Sequence, residues 1–375
     1  MIVRAVGTRR DLGAFIDLPY RLHAGDPLWA PPLRGEVRSA LSRKRDPFFD
    51  HGDLALFLAE REGEVVGRVA AIPNTLHNET QQDRTGFFGF FECVEDQAVA
   101  NGLLEATSGW AREQGHDRLL GPVSHSVNHE CGLLVDGFET PSAMLMPRNP
   151  PYYAGLLERA GLRGAKDLWA FEVGSNDGVA PLLPERAVRA MERIGKRQGV
   201  TLRPINMRRL DAEADRIREI FNACWADNWS FVPFTTREIR DMTHRLKPVI
   251  TPELVPMVEK DGEAIGFGLA VPDLNHVLLR NRSGRTLPGA LRILWSLWRK
   301  KIPRIRILLL GVLPEHRGKG IDALIFHWIW SRGVARGVTW GEASWILADN
   351  APMINALKRM GFSHYKTYRL YNQPL

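Results

Sequence analysis

The sequence predicts an α/β fold built from two copies of one mixed unit, each a twisted sheet flanked by helices. Three observations carry that prediction. The first is a repeated hairpin: Glu60-Arg61-Glu62-Gly63-Glu64-Val65-Val66-Gly67, running on to Ala71-Ile72-Pro73-Asn74, returns with identical spacing as Glu259-Lys260-Asp261-Gly262-Glu263-Ala264-Ile265-Gly266, running on to Ala270-Val271-Pro272-Asp273. Each copy reads as an apolar strand, a charged turn containing Gly, and a second strand. The second is a repeated helix: Asn149-Pro150-Pro151-Tyr152 precedes Leu157-Glu158-Arg159-Ala160-Gly161-Leu162, and Asn350-Ala351-Pro352-Met353 precedes Leu357-Lys358-Arg359-Met360-Gly361-Phe362. Both read as N-capped helices that stop at Gly. The third is the apolar stretch Ile305–Val312, a central strand by its composition, followed by a helix over Ile321–Arg336 and a strand over Ala343–Leu347.

One matching hairpin could arise by chance; two matching pairs in the same order point to a duplication. The division falls near Val173–Pro184, giving units at 1–173 and 184–375 and a linker at 174–183, where Gly174-Ser175-Asn176-Asp177-Gly178 has linker chemistry. A length of 375 residues suits two domains. An apolar share of 44% and a charged share of 25% are those of a globular protein with buried cores. The net charge of +7 suits an anionic partner, whether a phosphorylated cofactor, a membrane surface or nucleic acid, and equally suits a plain basic surface. Cys93, Cys131 and Cys224 lie far apart, which argues against a disulfide framework and against a metal site. The N-terminus lacks a signal-peptide core and no apolar run is long enough to cross a bilayer, so a cytoplasmic location is expected.

The chemistry concentrates after the central strand. Val312 is followed by Pro314-Glu315-His316-Arg317-Gly318-Lys319-Gly320, and an apolar helix then begins at Ile321. Glycines let backbone N–H groups approach an anion, and the N-terminus of a helix favours negative charge. Arg317 and Lys319 add formal charge. This is the composition of a pyrophosphate cradle. It is not a Walker loop, because no Gly-Lys-Ser/Thr follows, and its glycines are too close for a dinucleotide fingerprint.

With Arg317-Gly318-Lys319-Gly320-Ile321-Asp322 in place, and with a strand and the Asn350–Phe362 helix after it, the chain resembles the GNAT (GCN5-related N-acetyltransferase) superfamily. The resemblance covers Glu253–Leu375 and, more faintly, Asp53–Phe171. It implies two tandem GNAT-like domains, the N-terminal one degenerate, and acetyl-CoA or a longer acyl-CoA as co-substrate, without a metal. It implies that the turn amides, with Arg317, Gly318, Lys319, Gly320 and Ile321, hold the coenzyme A pyrophosphate. Two strands splay to admit the pantetheine arm beside Leu310, Gly311 and Val312, and Asn350 shapes the end of the slot. The weaker resemblance to GNAT-like lipid and sphingolipid N-acyltransferases makes a long-chain donor an alternative to acetyl. Asp322 and Leu357 depart from the family pattern: the first stands where Gly or Ala is usual and reads as a helix cap or as a group facing the acceptor, the second where many members carry a proton-donating Tyr. In the first half Val94-Glu95-Asp96-Gln97 replaces the cradle, and its carboxylates would repel a pyrophosphate.

An amine acceptor needs a route for its proton. Glu342, between Trp340 and Trp345, is the candidate base, its pKa raised by apolar neighbours, or orients the acceptor; Tyr365, Tyr368 or water is the candidate acid. Ser124–Gly132, with His125, His129, Glu130 and Cys131, reads as an acceptor-pocket loop, an ordinary structural loop, or a Cys/His site. The aromatic run Cys224–Phe234 suits an apolar ligand or core packing. Residues 287–306 read as a basic amphipathic helix that either touches a membrane or packs as a lid. The expected activity is transfer of an acyl group to an amine by direct attack. The rivals are a lipid N-acyltransferase at the membrane surface and a non-catalytic acyl-CoA-binding or scaffold protein. No nucleic-acid-reading module is recognisable.

Overall fold

A computed structural model describes residues 1–175, 185–299 and 301–375; most of the linker expected at 174–183, and Lys300, lie outside them. The first half runs β1 (Ile2–Ala5), α1 (Arg9–Leu22), α2 (Arg34–Ala40), β2 (Ala55–Arg61), β3 (Glu64–Pro73), α3 (Thr75–Gln81), β4 (Thr85–Cys93), α4 (Gln97–Glu113), β5 (Arg118–Gly121), β6 (Leu133–Asp136), α5 (Tyr152–Arg159) and β7 (Arg163–Gly174). The second half runs α6 (Glu185–Gln198), β8 (Thr201–Pro204), α7 (Leu210–Trp225), α8 (Thr236–Leu246), β9 (Pro256–Lys260), β10 (Glu263–Pro272), α9 (Asn275–Leu278), α10 (Thr286–Trp298), β11 (Arg304–Val312), α11 (Ile321–Val334), β12 (Trp340–Leu347), α12 (Ala351–Arg359) and β13 (Ser363–Pro374).

The repeated hairpins fold alike. Glu62 and Gly63 in the first turn, and Asp261 and Gly262 in the second, all have positive φ, the conformation of a two-residue hairpin turn. A single mixed sheet of 13 strands runs through the molecule in the order β1-β2-β3-β4-β5-β13-β7-β12-β11-β10-β9-β8, with β6 also on β13. Across the expected boundary the two halves exchange their last strands. β7 pairs with β12 of the second half, β13 pairs with β5 of the first, and the two run antiparallel from Arg163↔Asn372 to Glu172↔Ser363. A sheet edge is an unpaired row of donors and acceptors, and the exchange closes both inner edges at once.

One feature of the sheet positions the site. β11 and β12 pair in parallel only from Arg304↔Trp340 to Ile307↔Ala343. Beyond that point β11 stays with β10 up to Gly266↔Val312, while β12 follows β7 to Leu347↔Leu168. The two strands therefore part after Ile307 and Ala343. One face of the fork is covered by α11 and α12: Ile305, Ile307 and Ala343 pack with Ile321, Ile325, Ile329, Ile354 and Leu357. Side chains alternate along a strand, so Arg306, Glu342 and Ser344 project from the opposite face.

Candidate active site

The glycine turn sits beside the fork. Gly318 and Gly320 have φ of 71° and 80°. Gly320 is the N-cap of α11, and no side chain caps that helix. The first amides of a helix have no intrahelical acceptor. Asp322, read above as a cap, stands inside the first turn instead, because Gly320 already holds the cap position. The corresponding helix of the first half, α4, is closed: the Asp96 carboxylate accepts from Ala98 N at 2.8 Å and Val99 N at 3.4 Å and pairs with Arg61 at 2.6 Å.

The basic side chains of the turn are engaged with the backbone. Arg317 donates from Nε to Val312 O at 3.2 Å and from Nη2 to Cys224 O at 2.7 Å, tying the end of α7 to the end of β11. Lys319 donates to Glu315 O at 2.8 Å. Leu310, Gly311 and Val312 form the end of β11 on the outer side of the fork, with Trp225 pressed over Gly311, where a Cβ would lie 2.8 Å from its ring. Ile321 is buried in the core below the turn. The Asn350 side chain caps α12, its Oδ1 accepting from Met353 N at 3.2 Å. Leu357, with no exposed surface, is a core residue.

Glu342 and Tyr365 come together. The Tyr365 hydroxyl donates to one carboxylate oxygen of Glu342, and Ser344 Oγ donates to the other. Arg306 Nε lies 3.4 Å from that second oxygen and donates to Ser344 Oγ at 2.9 Å. Glu342 has 0% exposure, whereas Tyr365, which donates to it, is partly exposed. Burial raises the Glu342 carboxyl above its ordinary range, against the opposing pull of Arg306, Ser344 and Tyr365. Burial and the neighbouring Glu342 charge hold the Tyr365 phenol well above its ordinary value, so it stays protonated. Trp340 stands edge-on to the Tyr365 ring at 6.0 Å. Tyr368 is fully buried against Ser142, at 3.3 Å.

Arg306 and Ser344 were not singled out in the sequence. A charged residue between Ile305 and Ile307 in a central strand is a signal in itself, since such a charge must be paired. The Ser124–Gly132 loop does not assemble a Cys/His nucleophile. Burial pushes the Cys131 thiol up to about 12, and it donates to Val127 O at 3.7 Å. His129 is driven down to about 3, by burial first and by His125 second, and its Nδ1 meets Ser126 Oγ at 3.0 Å. The aromatic run packs as core: Phe221 stacks on Trp225 with centroids 4.6 Å apart and meets Phe234 at 4.7 Å. The same run clips the halves together through Asn128 to Val232 O at 2.8 Å and His77 to Ser230 Oγ at 2.9 Å.

The helix expected over 287–306 ends at Trp298; Arg304 and Arg306 lie in β11 and point inward. Arg304 sits over the Trp340 ring at 3.5 Å and pairs with Asp273 at 3.4 Å. What remains of the expected amphipathic helix is α10, with Leu287, Leu291, Leu294, Trp295 and Trp298 half or more exposed on its outer side. Among the described residues no helix is long and apolar enough to cross a membrane, and no three His, Cys, Asp or Glu side chains could hold a metal ion.

Comparison with known proteins agrees with this geometry. The profile of the Acetyltransferase (GNAT) family matches residues 214–362. The bacterial ceramide synthase of Caulobacter vibrioides is 38% identical over 99% of this chain and 96% of its own length. Protein YghO of Escherichia coli is 34% identical over 100% of this chain and 95% of its own. Among solved structures, a tandem GNAT protein from the clavulanic acid biosynthesis pathway shares the fold with a TM-score of 0.58 at 15% identity, covering 100% of this chain and 98% of that one. A profile spanning most of the second half and relatives alike from end to end show that the chain belongs to the acetyltransferase (GNAT) family.

Proposed function

We propose that this chain is an acyl-CoA-dependent N-acyltransferase in which an amine attacks the thioester directly. The observation that carries the reading is the uncapped N-terminus of α11, with Gly318 and Gly320 at positive φ, beside a pair of strands that part. The amides of Gly318, Gly320 and Ile321 and the charge of Lys319 suit a pyrophosphate, with Arg317 holding the turn in place. The gap beyond Ile307 and Ala343, edged by Leu310, Gly311 and Val312, suits the pantetheine arm. The thioester is the electrophile that acyl-CoA brings. As the C–N bond forms and the C–S bond breaks, the Tyr365 O–H supplies the proton that the thiolate takes, and the proton lost by the amine returns through solvent. Glu342 orients that hydroxyl. The first half, whose matching helix is closed by Asp96, serves as one wall of the acceptor pocket. Free-thiol release with acyl-CoAs of graded length, against pooled amines and sphingoid bases, tests the reading. Amine-dependent release supports it, and its absence with every pair would sink it.

The Gly320 position gives a separate check. A β-branched residue is disfavoured at φ 80°, and its Cβ would also meet Ile194 of α6 at 3.2 Å. Gly320→Val is expected to weaken coenzyme A binding about tenfold, as a strain of about 1–2 kcal/mol implies. Calorimetric titration with coenzyme A reads this directly; unchanged affinity would move the pyrophosphate elsewhere.

A lipid amine as acceptor is supported by the relative named a ceramide synthase, ceramide being a sphingoid base acylated on nitrogen. The outer face of α10 supports it independently. Its exposed Leu and Trp side chains are flanked by Arg299 and Lys301, the pattern of a helix lying in an anionic interface. Leu291→Glu with Trp295→Glu is expected to lower binding to phosphatidylglycerol-containing vesicles about tenfold or more, as two exposed apolar anchors are lost. Co-sedimentation measures it, and equal binding by the variant would remove the membrane from the reading.

A further inference from the structure

The candidate acid has a charged neighbour outside the proposed proton path. Lys366, next to Tyr365 in β13, has 0% exposure. A fully buried lysine is rare unless paired, because an ammonium gives up strong hydration. Among the described residues Lys366 forms no ion pair; its Nζ donates to Gly137 O and, at 2.9 Å, to Thr140 O, both in the first half. The same ammonium lies over the Tyr365 ring, 5.1 Å from its centroid.

Neighbouring side chains of a strand normally point to opposite faces. Here the ladder between β13 and β7 slips: His364 pairs with Phe171 and Lys366 with Ala170, which leaves Tyr365 as an extra residue in β13. Such a bulge re-aims a side chain. It brings Tyr365 against the same buried cluster as Tyr368 and Leu370, which alternate onto the face of Lys366.

Tying down the Gly137–Thr140 turn does not account for the charge. Arg148 already donates to Phe138 O and Thr140 O, each at 3.1 Å, and its own charge is matched by Asp26 at 2.6 Å. A neutral donor would serve Gly137 O. The charge of Lys366 is matched instead by what the reaction creates. With Glu342 ionised, Glu342, Arg306 and Lys366 together carry a positive excess. When the Tyr365 O–H bond breaks and the thiolate takes the proton as S–H, a phenolate is left. The group is then neutral until solvent returns the proton that the amine lost. A cation is attracted to an aromatic face, more so when the ring is anionic, and one fixed in advance needs no reorganisation as charge develops.

Resting on the N-acyltransferase reading, we infer that Lys366 is a positioning residue for proton transfer: its buried charge, held over the Tyr365 ring by two carbonyls of the first half, stabilises the phenolate that Tyr365 becomes. Burial lowers the Lys366 ammonium to about 8; Glu342 on β12, Glu139 in the turn and Glu172 on β7 oppose that shift, and Arg148 adds to it. Lys366 is therefore charged below about pH 8 and neutral above it.

The pH dependence of kcat, at saturating acyl-CoA and amine, tests the assignment in wild type, Lys366→Gln and Tyr365→Phe. Glutamine keeps a donor for Gly137 O without the charge. Near neutral pH, Lys366→Gln is expected to lose about tenfold in kcat with both KM values unchanged. The loss should shrink toward nothing as pH rises through about 8, where wild type loses the same charge. A purely structural role would give a loss that pH does not change. Tyr365→Phe leaves Lys366 and its carbonyls in place but forms no phenolate, so it should lack the fall of kcat that wild type shows through about pH 8. That comparison holds even if Lys366→Gln does not fold. Wild-type kcat in folded Lys366→Gln, a loss constant with pH, or an alkaline fall that persists in Tyr365→Phe would each overturn the assignment and leave the acyltransferase reading intact. A chain that acylates no amine at any pH would sink both.

Discussion

Replacing Glu342 with glutamine is expected to lower kcat by about 10²-fold or more, the usual scale for losing a group that serves proton transfer. The amide keeps the volume of the side chain and can still meet Ser344 and Tyr365, so the fold should persist. What it removes is the charge that the Tyr365 O–H donates to and that keeps the phenol protonated. The pH profile separates this from a structural role. The Glu342 carboxyl is held above its ordinary value of 4.5 by burial, so the ionised form appears only as pH rises past that raised value. The acid limb of kcat/KM in the wild type should therefore flatten in Glu342→Gln. Stability carries the opposite sign. An acid whose folded pKa is raised favours the folded state fully below its unfolded value of 4.5, and that contribution is lost as pH climbs through the folded value. The variant should lack this dependence in urea titrations taken from pH 4 upward. Near-normal turnover with an unchanged profile would remove Glu342 and, with it, the case for Tyr365 as the proton donor; Tyr365→Phe should repeat the kinetic loss.

Much of the fold was legible because duplication shows itself twice. The hairpin copies share a turn whose residues need positive φ, and the helix copies share a stop. Neither signal speaks of how the copies join. The exchange of β7 and β13 is a matter of which edge each last strand finds, and both strands carry the same alternating pattern whichever neighbour they take. The glycine turn was legible because its residue types are dictated by backbone geometry. Side chains with a local task were not legible: Asn350 caps α12, and Arg317 ties α7 to β11. The basic run after Trp298 looked like the tail of one helix because Lys and Arg suit a helix and a strand equally; the helix ends at Trp298, β11 begins at Arg304, and Arg304 and Arg306 go inward to Asp273 and Glu342.

Arg306→Met is expected to cost about 3–5 kcal/mol in urea unfolding, the scale for leaving one member of a buried ion pair without its partner. Arg306 is 4% exposed and Glu342 0%, so no water reaches the carboxylate to replace the guanidinium. Arg306 also donates to Met144 O, to Met146 Sδ at 3.0 Å and to Ser344 O at 3.1 Å, which joins the segment between β6 and α5 to the fork of the sheet. The two contributions separate in a double-mutant cycle. Adding Glu342→Leu removes the orphaned charge, and replacing a whole buried pair by apolar residues is often neutral. If the ion pair dominates, the double variant should regain most of the lost stability. If the tie to Met144 and Met146 dominates, it should regain little, because those acceptors stay unpaired in both variants. The first outcome is expected, since an unpaired buried charge costs more than an unpaired carbonyl. Its functional counterpart would be a stable protein without turnover, showing that this pair is retained in the core for the reaction and not for the fold. A single Arg306→Met variant within about 1 kcal/mol of wild type, as surface pairs usually are, would show instead that the Glu342 carboxyl is neutral in the folded protein.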